Sequence, residues 1–294
     1  MSAIPIRTNL LVKNIVTQLT STGTSFINPP IYLWSVFFKI DGTTAQIDLM
    51  GTTGWQLQGT ASVIGTPGNQ GDLPGGVQAS FYQEETTAIP SSLGNYVTTL
   101  VPFQAPIVGS VGGMIVGWLG ILLYQQDTPA DAVAAGHEAL NGAVLQALNN
   151  VIPTISKTNQ TITQGDISSA EKLIRTQVVD AIINSLSFWD KLGTVLNDTF
   201  QDTYVGLGLQ YFTDSQLLGS PAQGLPIQSA VEWGGTDDPN LYTFTFNGTV
   251  FADWSPFSLR RIMTGIGHAA PVSLRAVAGP AGLASLSAWM EAVI

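Results

Sequence analysis

Few residues in this chain are equipped for chemistry. It has two histidines, His137 and His268, and no cysteine, which removes thiolate nucleophiles, thiolate zinc sites, disulfides and thiolate-held iron–sulfur clusters together. His137 and Glu138 open like a zinc-protease motif, in which a second histidine one helical turn on must share the metal, but that position is Asn141. His137 is in phase with Val133, Leu140 and Val144, so it reads as a hydrogen-bonded core histidine. His268 follows Gly267 in a loop-like stretch with no carboxylate nearby in sequence. There is no nucleophile elbow, Walker loop or dinucleotide fingerprint. Asp237 and Asp238, with Asp72 in a glycine-rich loop, are oxygen donors in turns, a chemistry suited to calcium but without the spacing of an EF-hand. Solvated turns that contact a ligand suit them better. No cofactor and no metal site is expected, and Trp55, Trp233 and Trp254 read as core tryptophans before a carbohydrate platform.

The chain that must position these groups has 294 residues, 10 Lys+Arg against 20 Asp+Glu, and only 10% charged side chains, where soluble domains average about a quarter. Its basic residues are scattered, so nucleic acid is excluded as a partner. A surface hydrated by Thr, Ser, Gln, Asn and Gly repels its own copies weakly, which suits assembly or contact with a membrane. Around Arg7 there is no basic region followed by a long apolar run, so no ordinary signal peptide is visible.

From Thr86 to Gln126 no residue is charged. Residues 105–124 are about as long as a helix that spans a bilayer, and Gly109, Gly113 and Gly117 would then line one helix face as a strip for close helix contact. Trp118 and Tyr124 would sit near the interface. The same residues also read as a buried strand over Met114–Leu123 after a glycine-rich turn, which is the stronger reading, because continuous apolar runs carry no period.

Strands are predicted from residue 8 to about 103. Tyr32, Trp34, Val36, Phe38 and Ile40 alternate with Ser35 and Lys39, and Asp41-Gly42 predicts a hairpin to a strand carrying Ala45, Ile47 and Leu49. Trp55, Leu57, Ala61 and Val63 continue in phase with a bulge expected at Gly59. Pro129 and Asp131 mark a helix start; Val133, Leu140, Val144 and Leu148 form its stripe and Pro153 limits it. Further helical patterns run from Asp166 to Phe200. Strands return after Tyr204, with Ile227–Trp233 alternating and Asn247-Gly248 predicting a second hairpin turn within 241–251. Beyond 255 an apolar tail carries Leu283, Leu286, Trp289 and Val293, positions suited to docking.

The run YLWSVFFKIDG at 32–42 and the run AGHEALN at 135–141 together resemble segments of a group of bacterial proteins to which no activity is attached. That resemblance implies a bacterial setting and nothing about mechanism.

The expected fold is mainly β with an α insertion (α+β): an antiparallel β-sandwich from 1–127 and 203–254, a helical hairpin inserted around 128–200 within a unit 128–202, and a docking tail 255–294. The expected function is non-enzymatic: a membrane-active, pore-forming-toxin-like protein, secreted or released, that recognises a lipid membrane or cell-surface ligand through loops 65–76 and 234–240 and forms a homo-oligomer. The alternatives are a self-assembling subunit of a shell, filament or lattice, with a cytoplasmic setting, and a hydrolase with a dispersed site.

Overall fold

The computed structural model describes residues 4–19, 31–49, 54–66, 73, 85–106, 109–124, 129–154, 156–157, 203–220, 223–233 and 242–253. These residues are mainly β, in antiparallel sheets. The first sheet is built on β1 (Ile6–Leu19), which pairs β14 (Tyr242–Asp253) along its length on one side. On its other side it pairs β7 (Asn95–Leu100) and then β6 (Glu85–Ala88). β13 (Leu225–Trp233) extends the sheet beyond β14. Between β6 and β7 the short helix α1 (Ser91–Gly94) steps the chain over β1.

A register shift between Val12 and Asn14 sets the phase of β1. Before it Ile6, Thr8, Leu10 and Val12 are buried, and after it Ile15 and Thr17. Without the extra residue one half of the strand would turn its apolar set to solvent. The bulged residue, Lys13, gives its carbonyl to the Ile89 amide at 2.8 Å. Opposite the bulge lies Asn247-Gly248, where a hairpin turn was expected. Instead β14 runs straight through these residues, Asn247 Nδ2 donates to Asn14 Oδ1 at 3.3 Å, and a Cβ on Gly248 would fall 2.2 Å from the Leu11 carbonyl oxygen. The glycine serves close backbone approach, not a turn.

The second sheet has the order β12 (Thr203–Thr213), β10 (Ile115–Tyr124), β2 (Ile31–Ile40), β5 (Ser62–Gly65). All ten residues of β2 are buried, on both faces. One face meets the first sheet: Trp118 packs edge-on against Phe246 with ring centroids 4.9 Å apart, and Phe37 stacks on Tyr96 at 5.1 Å. Gly206 and Gly208 in β12 let the sheets close, since a Cβ at either would run into Val231 or Phe246. The opposite face carries Trp34 against His137 of α2 (Ala130–Val151), ring centroids 5.6 Å apart.

Two expected connections are corrected. The chain does turn after Asp41, yet β3 (Ala45–Leu49) pairs β4 (Trp55–Gly59) and not β2, whose neighbours are β10 and β5. β3, β4 and β11 (Ser156–Lys157) form a separate small sheet. Gly59 is no bulge within a long strand: at φ +126 it ends β4, and β5 joins the large second sheet. Only a residue without Cβ takes that backbone region freely. β8 (Phe103–Ala105) and β9 (Gly109–Val111) make a hairpin.

In α2 the expected stripe is buried: Val133, Leu140, Val144 and Leu148. The helix starts one residue after Pro129, which is extended at φ −61 and ψ 146, and passes into a 3-10 turn at Ile152–Thr154. Pro153 lacks the amide that another α-turn needs. The short helix α3 (Asp214–Leu218) is closed by a capping box between Thr213 and Gln216. The expected helices of 166–200 and the C-terminal tail lie outside the described residues.

Candidate functional site

The uncharged segment is strand, which corrects the helical strip. Gly109 opens β9 opposite Ala105, Gly113 occupies a turn at φ +97, and Gly117 lies within β10 against the Phe38 ring, which a Cβ would meet at 2.3 Å. Three positions that a helix would align are thus assigned to three separate local jobs. Trp118 is fully buried and donates from Nε1 to Ser35 Oγ at 2.6 Å; Tyr124, at the end of β10, is half-buried. Neither is an exposed interfacial anchor in this state.

The turn before β10 is held by a carboxylate. Asp214, buried at the start of α3, accepts the Gly113 amide at 2.9 Å on Oδ2 and the Ser215 amide at 3.0 Å on Oδ1, while its own amide donates to the Met114 carbonyl at 3.0 Å. A Cβ on Gly112 would lie 2.5 Å from the same Oδ2. The glycines are therefore needed so that backbone can reach this acceptor.

A second carboxylate closes the C-terminal end of β2. Asp41 is wholly buried; Oδ2 accepts Lys39 Nζ at 2.8 Å and the Val101 amide at 3.0 Å, and Oδ1 accepts the Thr43 amide at 3.2 Å and the Thr43 hydroxyl. Lys39 Nζ also donates to the Thr99 carbonyl at 3.2 Å. Four donors on two oxygens compensate the charge for its lost water. Nearby, burial pushes the Tyr96 hydroxyl above its ordinary pKa, with the Thr98 side chain opposing and the charge of Asp41 adding to the rise. Both carboxylates are committed to backbone and partner groups, a structural role.

The third polar group has a different character. His137 is 5% exposed, and its Nε2 has no hydrogen-bond partner. One turn on, Asn141 Oδ1 is likewise buried without a partner, with its side chain directly over Gly65, where a Cβ would sit 2.0 Å from Nδ2. The Ser35 carbonyl below already accepts the Thr66 amide at 3.1 Å and the Thr66 hydroxyl at 2.7 Å. Burial pushes the imidazole below its ordinary pKa, and the Ser35 carbonyl offsets part of that. The expected core histidine is in place, but its outer nitrogen is unsatisfied. Further along α2, Asn149 Oδ1 accepts the Ala61 amide at 2.8 Å, which ties the helix to the start of β5.

At the surface, Gly42, Thr43, Thr44, Gln46, Gln58 and Gln104 line a cleft of about 390 Å³ between the β3–β4 hairpin and β8. Its lining is uncharged, with hydroxyls and amides as the recognition groups. Trp55 is buried, as expected of a core tryptophan, although its Nε1 lacks a partner. Among the described residues no group of three or more side chains could hold a metal, and no helix is long and apolar enough to cross a membrane, which says nothing of strands. Asp72, Asp237, Asp238, His268, Leu283, Leu286, Trp289 and Val293 lie outside the described residues.

Sequence reasoning missed Asp41 as an anchor, treating it as a turn residue, and missed Asp214 altogether. Thr213-Asp214-Ser215-Gln216 carries the capping-box spacing, which could have marked α3. Gly65 as the seat of Asn141 had no local signal. No protein-family model matches the chain, and no curated protein or solved structure resembles it significantly.

Proposed function

We propose that this is a non-enzymatic, membrane-active protein that binds a cell surface and oligomerises there in the manner of a pore-forming toxin, released by a bacterium. The two large sheets are read as an antiparallel sandwich carrying the helical insertion 128–202 and a docking tail 255–294. The observation that carries this reading is the central pair of the second sheet. β2 and β10 are ten residues each, are apolar on both faces, and contain one charged residue, Lys39. Ten residues is also the length with which a tilted strand crosses a bilayer. A store of largely apolar strand that packs against α2 becomes a lipid-seeking surface once uncovered.

First contact with a cell surface is assigned to the cleft of Thr43, Gln58 and Gln104 together with loops 65–76 and 234–240. The test is leakage of dye-loaded phospholipid vesicles and the mass of the vesicle-bound protein. Leakage with a large bound oligomer supports the reading; intact vesicles across pH and lipid composition reject it.

A self-assembling structural subunit is the second reading, favoured by an apolar row on the outer face of the first sheet. Val97 and Phe251, 49% and 38% exposed, flank Asn9 from its two neighbouring strands. Changing both to Ser, or deleting 279–294, should then reduce the oligomer formed without lipid.

A further inference from the structure

α2 rests on the second sheet through a polar contact that tolerates one charge state. Its apolar stripe is interrupted by His137 and Asn141, one turn apart, each with a buried atom that lacks a partner. Beneath them lie Trp34, the Ser35 carbonyl and Gly65. A neutral imidazole can donate one proton to that carbonyl and leave the other nitrogen bare. The protonated ring carries a second donor and a full charge; the bare acceptor described one turn on, Asn141 Oδ1, is neutral and cannot balance that charge in a buried site.

Titratable groups on the packed elements do not relieve that charge. On α2, Asp131 and Glu138 are exposed. On β2, Tyr32 shares the Trp34 face and is a phenol, while Lys39 points to the other face, into its pair with Asp41. Neither β5 nor the 3-10 turn has a titratable side chain, and β10 has only Tyr124, a phenol at its C-terminal end. The described elements thus place no carboxylate over the ring.

We propose that α2 is an acid-released cover: protonation of His137 detaches the helix from β2 and β5 and uncovers the apolar face of the β2–β10 pair. Asn141 shares the device, because its unsatisfied oxygen makes the same turn of helix the weakest part of the contact. That face carries Trp34, which packs on His137, together with Phe38, Leu119 and Ile121, all of them buried. Use of this opening at a membrane rests on the function proposed above; the opening itself does not.

The test is hydrogen exchange of the full chain at pH 7.5 and 5.0, corrected for intrinsic rates, read by mass spectrometry on peptides from α2 and from β1 and β14. The wild type should lose at least about tenfold of its α2 protection at pH 5.0 while β1 and β14 keep theirs. H137Q and H137F, each checked for a native near-ultraviolet signal at pH 7.5, should show no such loss. Equal α2 protection at both pH values overturns the proposal. So does simultaneous loss in β1 and β14, or a variant that follows the wild type. A parallel arm adds anionic phospholipid vesicles at pH 5.0. Release of α2 without vesicle binding keeps the switch and rejects the membrane function; release with binding supports both.

Discussion

Replacing Asp41 by Ala tests whether the buried carboxylate holds the end of β2 to the β7–β8 connection. The substitution removes the acceptor of Lys39 Nζ, Val101 N, Thr43 N and the Thr43 hydroxyl at once. Leaving one charge of a buried pair without its partner costs about 3–5 kcal/mol. Each orphaned donor adds about 1–3 kcal/mol, but the terms share one site and do not add, so about 5 kcal/mol is expected in total. Against a typical stability of about 5–15 kcal/mol, that leaves the domain close to unfolding at 25 °C. Urea unfolding followed by far-ultraviolet circular dichroism should show the midpoint fall by about 2 M. Lys39→Met should cost less, because Asp41 keeps its Val101 and Thr43 donors. Lys39→Met combined with Asp41→Asn should recover part of the loss, as an uncharged pair of similar volume does. If Asp41→Ala shifts stability by less than about 0.5 kcal/mol, the carboxylate does not anchor this turn and the argument is refuted.

Four further outcomes follow from the geometry. Gly117→Ala places a methyl into the Phe38 ring at 2.3 Å and should destabilise by about 1–3 kcal/mol in the same urea titration. Trp118→Phe keeps the packing on Phe246 but drops the 2.6 Å bond to Ser35 Oγ; a loss of about 1–2 kcal/mol is expected by thermal unfolding. Asp214→Asn should raise amide exchange at Gly113, whose N–H donates to its Oδ2, with a cost of about 1–3 kcal/mol. The stability contributed by His137 has a definite sign: its folded pKa lies below the unfolded value of 6.5, so the unfolded state binds the proton first. That contribution is intact above pH 6.5 and falls with acidification by up to about 1.4 kcal/mol per pH unit until the folded pKa is reached. The slope should vanish in H137Q.

The parts legible in sequence are those set by a local period. The alternation of Tyr32 to Ile40 located β2, the stripe from Val133 to Leu148 located α2, and Ile227 to Trp233 located β13. Partners were illegible, because pairing is decided by residues far apart. Asp41-Gly42 and Asn247-Gly248 carry the same turn chemistry, yet the first turns into a different sheet and the second lies inside a strand. The deciding groups were the Val101 amide and the Lys13 bulge, each distant in sequence. For the segment around Gly117, a continuous apolar run suits a helix or a doubly buried strand equally. Only its neighbours Phe38 and Ser35 distinguish the two. The unsatisfied nitrogen of His137 was illegible for the same reason: its phase on α2 predicts burial, while its missing partner is a property of β2 and β5.

The central claim is that the apolar β2–β10 pair can be turned from core to lipid contact. Its most direct measurement is light scattering and dye release on one sample of full-length protein with anionic phospholipid vesicles, at pH 7.5 and at pH 5.0. A small species and intact vesicles are expected at pH 7.5, and a large vesicle-bound oligomer with leakage at pH 5.0. A protein that stays small and leaves the vesicles sealed at both pH values contradicts the claim.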